Sequence, residues 1–281
     1  MHEEIPETGF RRPLGWTCFW VALALAFNLG VWHFMGREKG LEFFTGWLLE
    51  YSLSVDNLFV FALIFSYFQV PVQWQRKVLF WGIAGAVVMR MGIILLGVTL
   101  VSRFAWVLYL FGVFLIFTGI KMLVQKGEAV DPGHNPVLRL VSRFVPMTPQ
   151  FEGDRFFVLR EGRRMATPLL AVLVCVEVSD ILFAVDSIPA IFGVTLDPFI
   201  IYTSNVFAIL GLRSLYFVLA RALHVFHYLK PGLALVLGFI GVKIFLDHTA
   251  WAVGTPVALG VVAGVLGLAV AASLLFPRER A

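Results

Sequence analysis

Carboxylate and amide side chains stand within apolar stretches of this sequence, where charged groups are costly to bury. One stretch contains "EYSLSVDNLFVF" at residues 50–61, and another contains "CVEVSDILFAVDSIPAIF" at residues 175–192. With a third stretch they supply these oxygen ligands: Glu50, Asp56, Asn57, Glu177, Asp180, Asp186 and Asn205. Hard oxygen donors favour Mn²⁺, Ca²⁺ or Mg²⁺. The residue types therefore predict a divalent-cation site inside the apolar segments.

The ligands that copper and zinc prefer are scarce in these stretches. The chain has two cysteines, Cys18 and Cys175, and they lie in different apolar stretches. They predict neither a disulfide framework nor a thiolate metal site. No apolar stretch carries a histidine near its centre. Neighbouring carboxylates can also share a proton, so metal entry could release protons and allow exchange.

The composition identifies the elements that must position these ligands. Hydrophobic residues make up 59% of the 281 residues, charged residues make up 14%, and the mean hydropathy is +0.87. We therefore predict an all-α polytopic membrane protein that forms a single transmembrane domain over residues 1–281. Eight spans are predicted, at about residues 15–35, 42–68, 78–100, 104–124, 168–193, 199–220, 231–247 and 255–276.

The distribution of basic residues predicts the orientation of these spans. The side that receives both termini also receives a long loop, at about residues 125–167, and most of the basic residues outside the spans. The other side has just Arg37, Lys39 and Arg103. The positive-inside rule then places both termini and the long loop in the cytoplasm. The basic charge reflects topology, so we expect lipid and no nucleic acid as partners, and protein partners stay open.

Charged positions recur in the same order in the two halves of the chain. The pairs are Glu50 with Asp180, Asp56 with Asp186, Arg90 with Arg213, and Lys121 with Lys243. They predict two copies of a three-helix unit, at about residues 41–124 and 168–247. An odd number of helices in each copy makes the two copies inverted. Inverted repeats are typical of secondary transporters, whose site lies near the membrane midplane between the copies.

Helical geometry does not by itself bring all the carboxylates together. Glu50 and Asn57 share a face, whereas Asp56 points about 120° away from Glu50. Pro189 predicts a break in its helix just after Asp186, which would turn that side chain toward the site.

The four basic residues within the spans have structural and functional interpretations. Arg90 and Arg213 are candidate charge partners of Asp56 and Asp186. Lys121 and Lys243 lie toward helix ends, where a lysine can extend its ammonium group to the interface. A purely structural network of all these charges is the alternative to an ion site.

The segments "EYSLSVDNLFVF", "TPLLAVLVCVEVSDILFAVDSIPAIF" and "YTSNVFAILGLRSLYF" resemble signature segments of the TerC family of integral membrane proteins, which includes the Alx type. The resemblance extends over about residues 40–250. It implies a bacterial inner-membrane protein of a family named for tellurium resistance, with manganese export in Alx-like members. It also implies that the seven oxygen ligands occupy the family's acidic motif positions.

The residues and this resemblance together predict a transporter rather than an enzyme: a manganese exporter of the inner membrane, with Mn²⁺ as substrate and no cofactor. Proton coupling through the carboxylates is a further hypothesis. Two alternatives stay open. One is transport of Ca²⁺ or Mg²⁺, and the other is a non-transporting scaffold for membrane assembly. The scaffold predicts that Asp56→Asn unfolds or mislocalises the protein, whereas the transporter predicts a folded protein without flux.

Overall fold

The computed structural model describes residues 11–124, 148–160, 163–219, 228–247, 249 and 251–276. The side chains of Arg11, Asp56, Phe59, Asp186 and Leu219 are outside this description. So are residues 125–147, which make up more than half of the predicted cytoplasmic loop.

Nine α-helices and one β-hairpin form the described part of the chain. The helices are α1 Arg11–Met35, α2 Arg37–Tyr67, α3 Val72–Arg103, α4 Trp106–Val124, α5 Pro168–Phe192, α6 Pro198–Leu210, α7 Leu212–Leu219, α8 Leu229–Leu246 and α9 Thr255–Leu275. Eight described segments are long and apolar enough to cross a membrane, and α6 with α7 forms one of them, Pro198–Val218. The prediction of an all-α polytopic membrane protein is confirmed. The inverted repeat stays a prediction from the sequence.

The hairpin lies between α4 and α5 in the chain. Strands β1 Phe157–Arg160 and β2 Arg163–Ala166 are antiparallel, with Phe157 opposite Ala166. The preceding turn is joined to α3, because Lys77 Nζ donates to Asp154 Oδ2 at 2.9 Å. This hydrogen bond and the positive charge of Lys77 hold the pKa of the Asp154 carboxyl below its ordinary value. The contact fixes the described end of the long loop against the bundle.

The helix ends have local causes. A single residue, Gly36, separates α1 from α2, and its φ of +92° is a conformation that L side chains rarely adopt. Asp197 caps α6, since its Oδ1 accepts from the backbone N–H of Phe199 at 3.0 Å. Pro198 follows at the first helical position, where its missing N–H costs no helical hydrogen bond.

Two spans differ from the sequence prediction. Helix α5 continues through Pro189 to Phe192, so the predicted break after Asp186 was wrong. Pro189 lies in the last turn, where the helix loses one hydrogen bond and has little length left to redirect. The sixth span is instead divided at Gly211, between α6 and α7.

The helices pack so that those bearing acids and arginines lie together. Helix α2 packs on α5 and α6, and α3 also packs on α5 and α6. Helices α4 and α8 pack against each other over a long contact. There a Cβ added at Gly119 would lie 2.6 Å from the carbonyl oxygen of Ala234, so the small residue permits the approach. The acidic helices are thus central in the described bundle.

Candidate functional site

Arg90 on α3 is the centre of a buried polar network. Its side chain is 1% exposed, although it is the largest of the fully buried side chains. Its Nε and Nη2 donate to the two carboxylate oxygens of Asp180 at 3.0 Å and 2.9 Å. Its Nη1 donates to Glu50 and, at 3.4 Å, to the amide oxygen of Asn205. The guanidinium therefore binds one carboxylate in a bidentate manner and reaches a second.

Each partner of Arg90 comes from a different helix. Glu50 belongs to α2, Asp180 to α5 and Asn205 to α6. All three are almost fully buried, at 2%, 4% and 1% exposure. These residues are up to 155 positions apart in the sequence (50 to 205), and the packing of their helices brings them together. Four membrane-spanning segments thus meet at one ionic centre.

The charges at this centre do not cancel. With both carboxylates ionised, Glu50 and Asp180 carry two negative charges against the single positive charge of Arg90. Buried charge is strongly disfavoured unless it is compensated. One further positive charge would balance the centre.

Further polar atoms near these positions along the helices have no partner. Ser54 Oγ lies one turn after Glu50, and Ser187 Oγ lies two turns after Asp180. Both hydroxyls are buried without a hydrogen-bond partner, as is Asn205 Nδ2. Asn57, on the same helix as Glu50, is also buried, at 4% exposure. Buried polar groups are normally paired, so each of these atoms is available to a water molecule or a ligand.

Glu177 lies one turn before Asp180 on α5, against the backbone of Gly85 on α3. A Cβ added at Gly85 would lie 2.6 Å from the carboxyl carbon of Glu177. One of its oxygens, Oε2, is buried and has no hydrogen-bond partner. Glycine at position 85 is therefore what lets this carboxylate lie between α3 and α5.

The other three basic residues from the sequence analysis are placed differently from Arg90. Lys243 on α8 is 7% exposed, and its Nζ donates to Asp247 at 2.8 Å and to the carbonyl of Gly193 at 3.0 Å. Lys121 is exposed at the end of α4. Arg213 on α7 is also exposed, with its guanidinium carbon 6.0 Å from the centre of the Phe80 ring.

The seven candidate oxygen ligands are thus only partly gathered. Glu50, Asp180 and Asn205 meet at Arg90, while Glu177 lies against Gly85. Asp56 and Asp186 lie on α2 and α5, but their side chains are outside the described residues. Among the side chains that are described, no group of three or more His, Cys, Asp or Glu residues is arranged to hold a metal ion. Instead, the guanidinium of Arg90 binds the carboxylates of Glu50 and Asp180.

A second polar cluster, which sequence reasoning missed, lies where α2 begins and α6 begins. Glu42 is 8% exposed and accepts from Lys39 Nζ at 2.9 Å and from Thr195 Oγ1 at 2.6 Å. Lys39 also pairs with Asp197 at 3.2 Å. The three-residue spacing of Lys39 and Glu42 could have indicated the first pair. The contacts across the bundle carry no sequence signal.

Comparisons with known proteins agree on a family. The model of the integral membrane protein TerC family matches residues 35–281. An uncharacterized membrane protein of Myxococcus xanthus is 50% identical over 279 residues, which cover 99% of this chain and 87% of the relative. A protein of Escherichia coli strain K12, named Alx and described as a suggested membrane-bound redox modulator, is 46% identical over 264 residues, with 91% and 82% covered.

A plant protein is equally similar. The chloroplastic thylakoid membrane protein TERC of Arabidopsis thaliana is 46% identical over 272 residues, covering 97% of this chain and 70% of the relative. No solved structure matches this chain significantly. The family match and these identities show that the chain belongs to the TerC family of integral membrane proteins.

Proposed function

We propose that this protein exports a divalent cation, Mn²⁺, from the cytoplasm through the centre formed by Glu50, Asp180 and Asn205. The convergence of these oxygen ligands from α2, α5 and α6 in the buried interior is the observation that carries the proposal. Hard oxygen donors at this depth fit a hard divalent cation. Ionisable residues within membrane-spanning helices typically mark ion pathways.

Arg90 acts in this proposal as a tethered counter-ion. Two cations within a few ångströms repel each other strongly in a low-dielectric interior. Mn²⁺ that binds Glu50 and Asp180 must therefore displace the guanidinium, and the guanidinium returns when the ion leaves. Such competition keeps the carboxylates neutralised in the ion-free state and prevents the ion from binding too tightly to be released.

Asp56 and Asp186 are proposed to supply a second pair of carboxylates along the ion path. Each lies six residues beyond a central carboxylate on the same helix, hence about 9 Å further along the axis. The orphaned hydroxyls of Ser54 and Ser187 lie on these same segments. Asn57 and Glu177 would assist, with Glu177 as a carboxylate along the path between α3 and α5.

The predicted orientation identifies the cytoplasmic side, from which export would begin. The basic loops predict cytoplasmic termini and a cytoplasmic long loop in the inner membrane of a bacterium. Proton counter-transport through the same carboxylates would supply energy for export, and no catalytic activity or resident cofactor is required.

The scaffold alternative has an observation of its own. The single guanidinium of Arg90 joins α3 to α2, α5 and α6, which would also suit a purely structural role. The redox role in the name of the Alx relatives has less support here. The chain has two cysteines, and both are free thiols on different helices, Cys18 on α1 and Cys175 on α5. No dithiol is therefore available for a redox cycle.

Mn²⁺ flux in proteoliposomes tests the proposal. Wild-type protein is expected to transport Mn²⁺, and Asp180→Asn is expected to fold but to lose flux because the bidentate carboxylate is gone. Asp154→Asn is the matched control, since its exposed carboxylate lies in the turn before the hairpin, and it should retain flux. If Asp180→Asn is unfolded and wild type shows no flux, the scaffold function replaces transport.

The same assay addresses the ion and its coupling. An excess of Ca²⁺ or Mg²⁺ that abolishes Mn²⁺ flux would move the assignment to those ions. Flux that does not change with an imposed pH gradient would rule out proton counter-transport.

A further inference from the structure

A groove of about 1190 Å³ lies between α1, α3 and the junction of α6 with α7. Helix α7 packs against both α1 and α3, and residues of all three helices line the groove. Three arginines from three helices contribute to the lining: Arg12 from α1, Arg76 from α3 and Arg213 from α7. This groove takes no part in the proposed ion site.

The three arginines lie toward the same end of the bundle. Arg12 and Arg76 stand in the first turns of α1 and α3, and Arg213 stands five residues before the end of the sixth span at Val218. In the predicted topology, α1 and α3 begin on the same side of the membrane on which α7 ends. The basic loops predict that this side is cytoplasmic. The groove thus has a cationic mouth at the membrane surface.

These cations have no carboxylate partners among the described residues. Arg76 lies over the Phe217 ring at 5.5 Å, and Arg213 lies over the Phe80 ring at 6.0 Å. All three guanidinium side chains belong to exposed residues. Neighbouring like charges repel one another, and an unpaired arginine in a membrane span is costly. An anion between them would remove both penalties.

Apart from Ser214, the rest of the lining is apolar, and it extends along the membrane-spanning helices. Arg76 and Val87 both line the groove and are eleven residues apart on α3, which corresponds to about 16 Å of helix. Trp16 and Phe80 add aromatic surface that is more than half exposed. The volume exceeds the roughly 300–1,000 Å³ of typical small-molecule sites, so a free phosphate ion would leave most of it unfilled. Its charge and its apolar length fit an anionic phospholipid.

We propose that this groove binds an anionic phospholipid of the cytoplasmic leaflet, with its phosphate at Arg12, Arg76 and Arg213 and an acyl chain along α1 and α3. Arginine binds phosphate oxygens in a forked geometry that matches the phosphodiester. Basic pockets between membrane-spanning helices on the cytoplasmic side are a known form of headgroup recognition.

Native mass spectrometry of the purified full chain tests this proposal. The protein is equilibrated in detergent with equal amounts of phosphatidylglycerol and phosphatidylcholine, and the bound lipid is measured. We expect preferential retention of one phosphatidylglycerol. Arg76→Gln and Arg213→Gln should each weaken its binding about fivefold, from the attraction of about one unit charge at the surface. Arg103→Gln, an exposed arginine at the opposite end of α3, is the matched control and should retain wild-type binding.

Three results would overturn the proposal. The first is equal retention of the two lipids by wild type. The second is a loss of binding in Arg103→Gln as large as in Arg213→Gln, which would indicate a general effect of surface charge. The third is displacement of phosphatidylglycerol by millimolar inorganic phosphate, which would indicate a small-anion site instead of a lipid site.

Discussion

The two helix triplets that the sequence pairs, residues 41–124 and 168–247, carry the same basic residues but use them differently. In the first triplet Arg90 is buried and bound to two carboxylates, whereas its counterpart Arg213 is exposed over an aromatic ring. The lysines show the opposite assignment, because Lys243 of the second triplet is buried and paired while Lys121 is exposed. Each matched pair thus has one interior and one surface member.

The acidic counterparts, in contrast, are used alike. Glu50 and Asp180 occupy matching positions, and both bind the same guanidinium. One arginine serves both acidic helices, and a second buried arginine would neutralise the excess negative charge that the proposed cation site requires. If the two triplets are the repeat that the sequence predicts, the difference teaches that matched positions can diverge once one copy satisfies a shared requirement. Arg213 is then free to serve another purpose, which we assign to lipid binding.

Replacing the two arginines in turn would test this difference most strongly. Arg90→Gln leaves Glu50 and Asp180 buried without a counter-charge, and we expect it to lower the free energy of unfolding by about 3–5 kcal/mol. Arg213→Gln should change it by no more than about 0.5 kcal/mol, because the side chain is exposed. Unfolding of both variants in detergent measures the contrast, and equal losses would contradict it.

The lysine pair is expected to show a smaller contrast. Lys243→Met removes the donor to Asp247 and to the Gly193 carbonyl, at a cost of about 1–2 kcal/mol because Asp247 is partly exposed. Lys121→Met should be close to neutral, since the side chain it replaces is exposed. Thermal unfolding of both variants compares them, and a greater loss for Lys121→Met would reverse the assignment.

A glycine substitution sharpens the comparison at the contact between α3 and α5. Gly85 and Glu177 correspond in the other triplet to Ala208 and Trp47, which share a buried apolar cluster. Gly85→Ala should leave the protein about 0.5–1 kcal/mol less stable than a matched glycine-to-alanine control, because the new Cβ displaces the Glu177 carboxylate, which is the end of a flexible side chain.

Gly92→Ala on the same helix is the control for Gly85→Ala. A Cβ at Gly92 meets nothing within 4 Å, so the higher helix propensity of alanine should leave the protein equally or more stable. Thermal unfolding of the two variants in the same detergent is the measurement. If both variants were equally stable, the close contact between Gly85 and Glu177 would be wrong.

The sequence predicted the fold class, whereas the arrangement of the buried polar centre could not be predicted from it. Long apolar segments reveal the spans because a bilayer requires them, and charged residues inside such segments are conspicuous. Whether Arg90 or Arg213 is the buried member depends on how helices rotate and pack, which identical residue types cannot indicate. The helix break predicted at Pro189 was wrong for a similar reason, because the effect of a proline depends on how close it lies to the end of the helix.

The contact of Glu177 with Gly85 could not be predicted either. It joins residues that are 92 positions apart in the sequence. The one sequence signal for it is that a glycine stands at position 85 of α3. Local patterns determine where helices begin and end, whereas such pairings are a property of the assembled bundle.

Binding of Mn²⁺ to the purified protein, followed by electron paramagnetic resonance, tests the central claim most directly. The comparison is between Glu50→Gln and Glu42→Gln, two buried glutamates of α2 of which only Glu50 contacts Arg90 in the structure described above. We predict that wild type and Glu42→Gln bind Mn²⁺ and that Glu50→Gln binds it at least tenfold more weakly. Undiminished binding by Glu50→Gln would contradict the assignment of the Arg90 centre as the ion site.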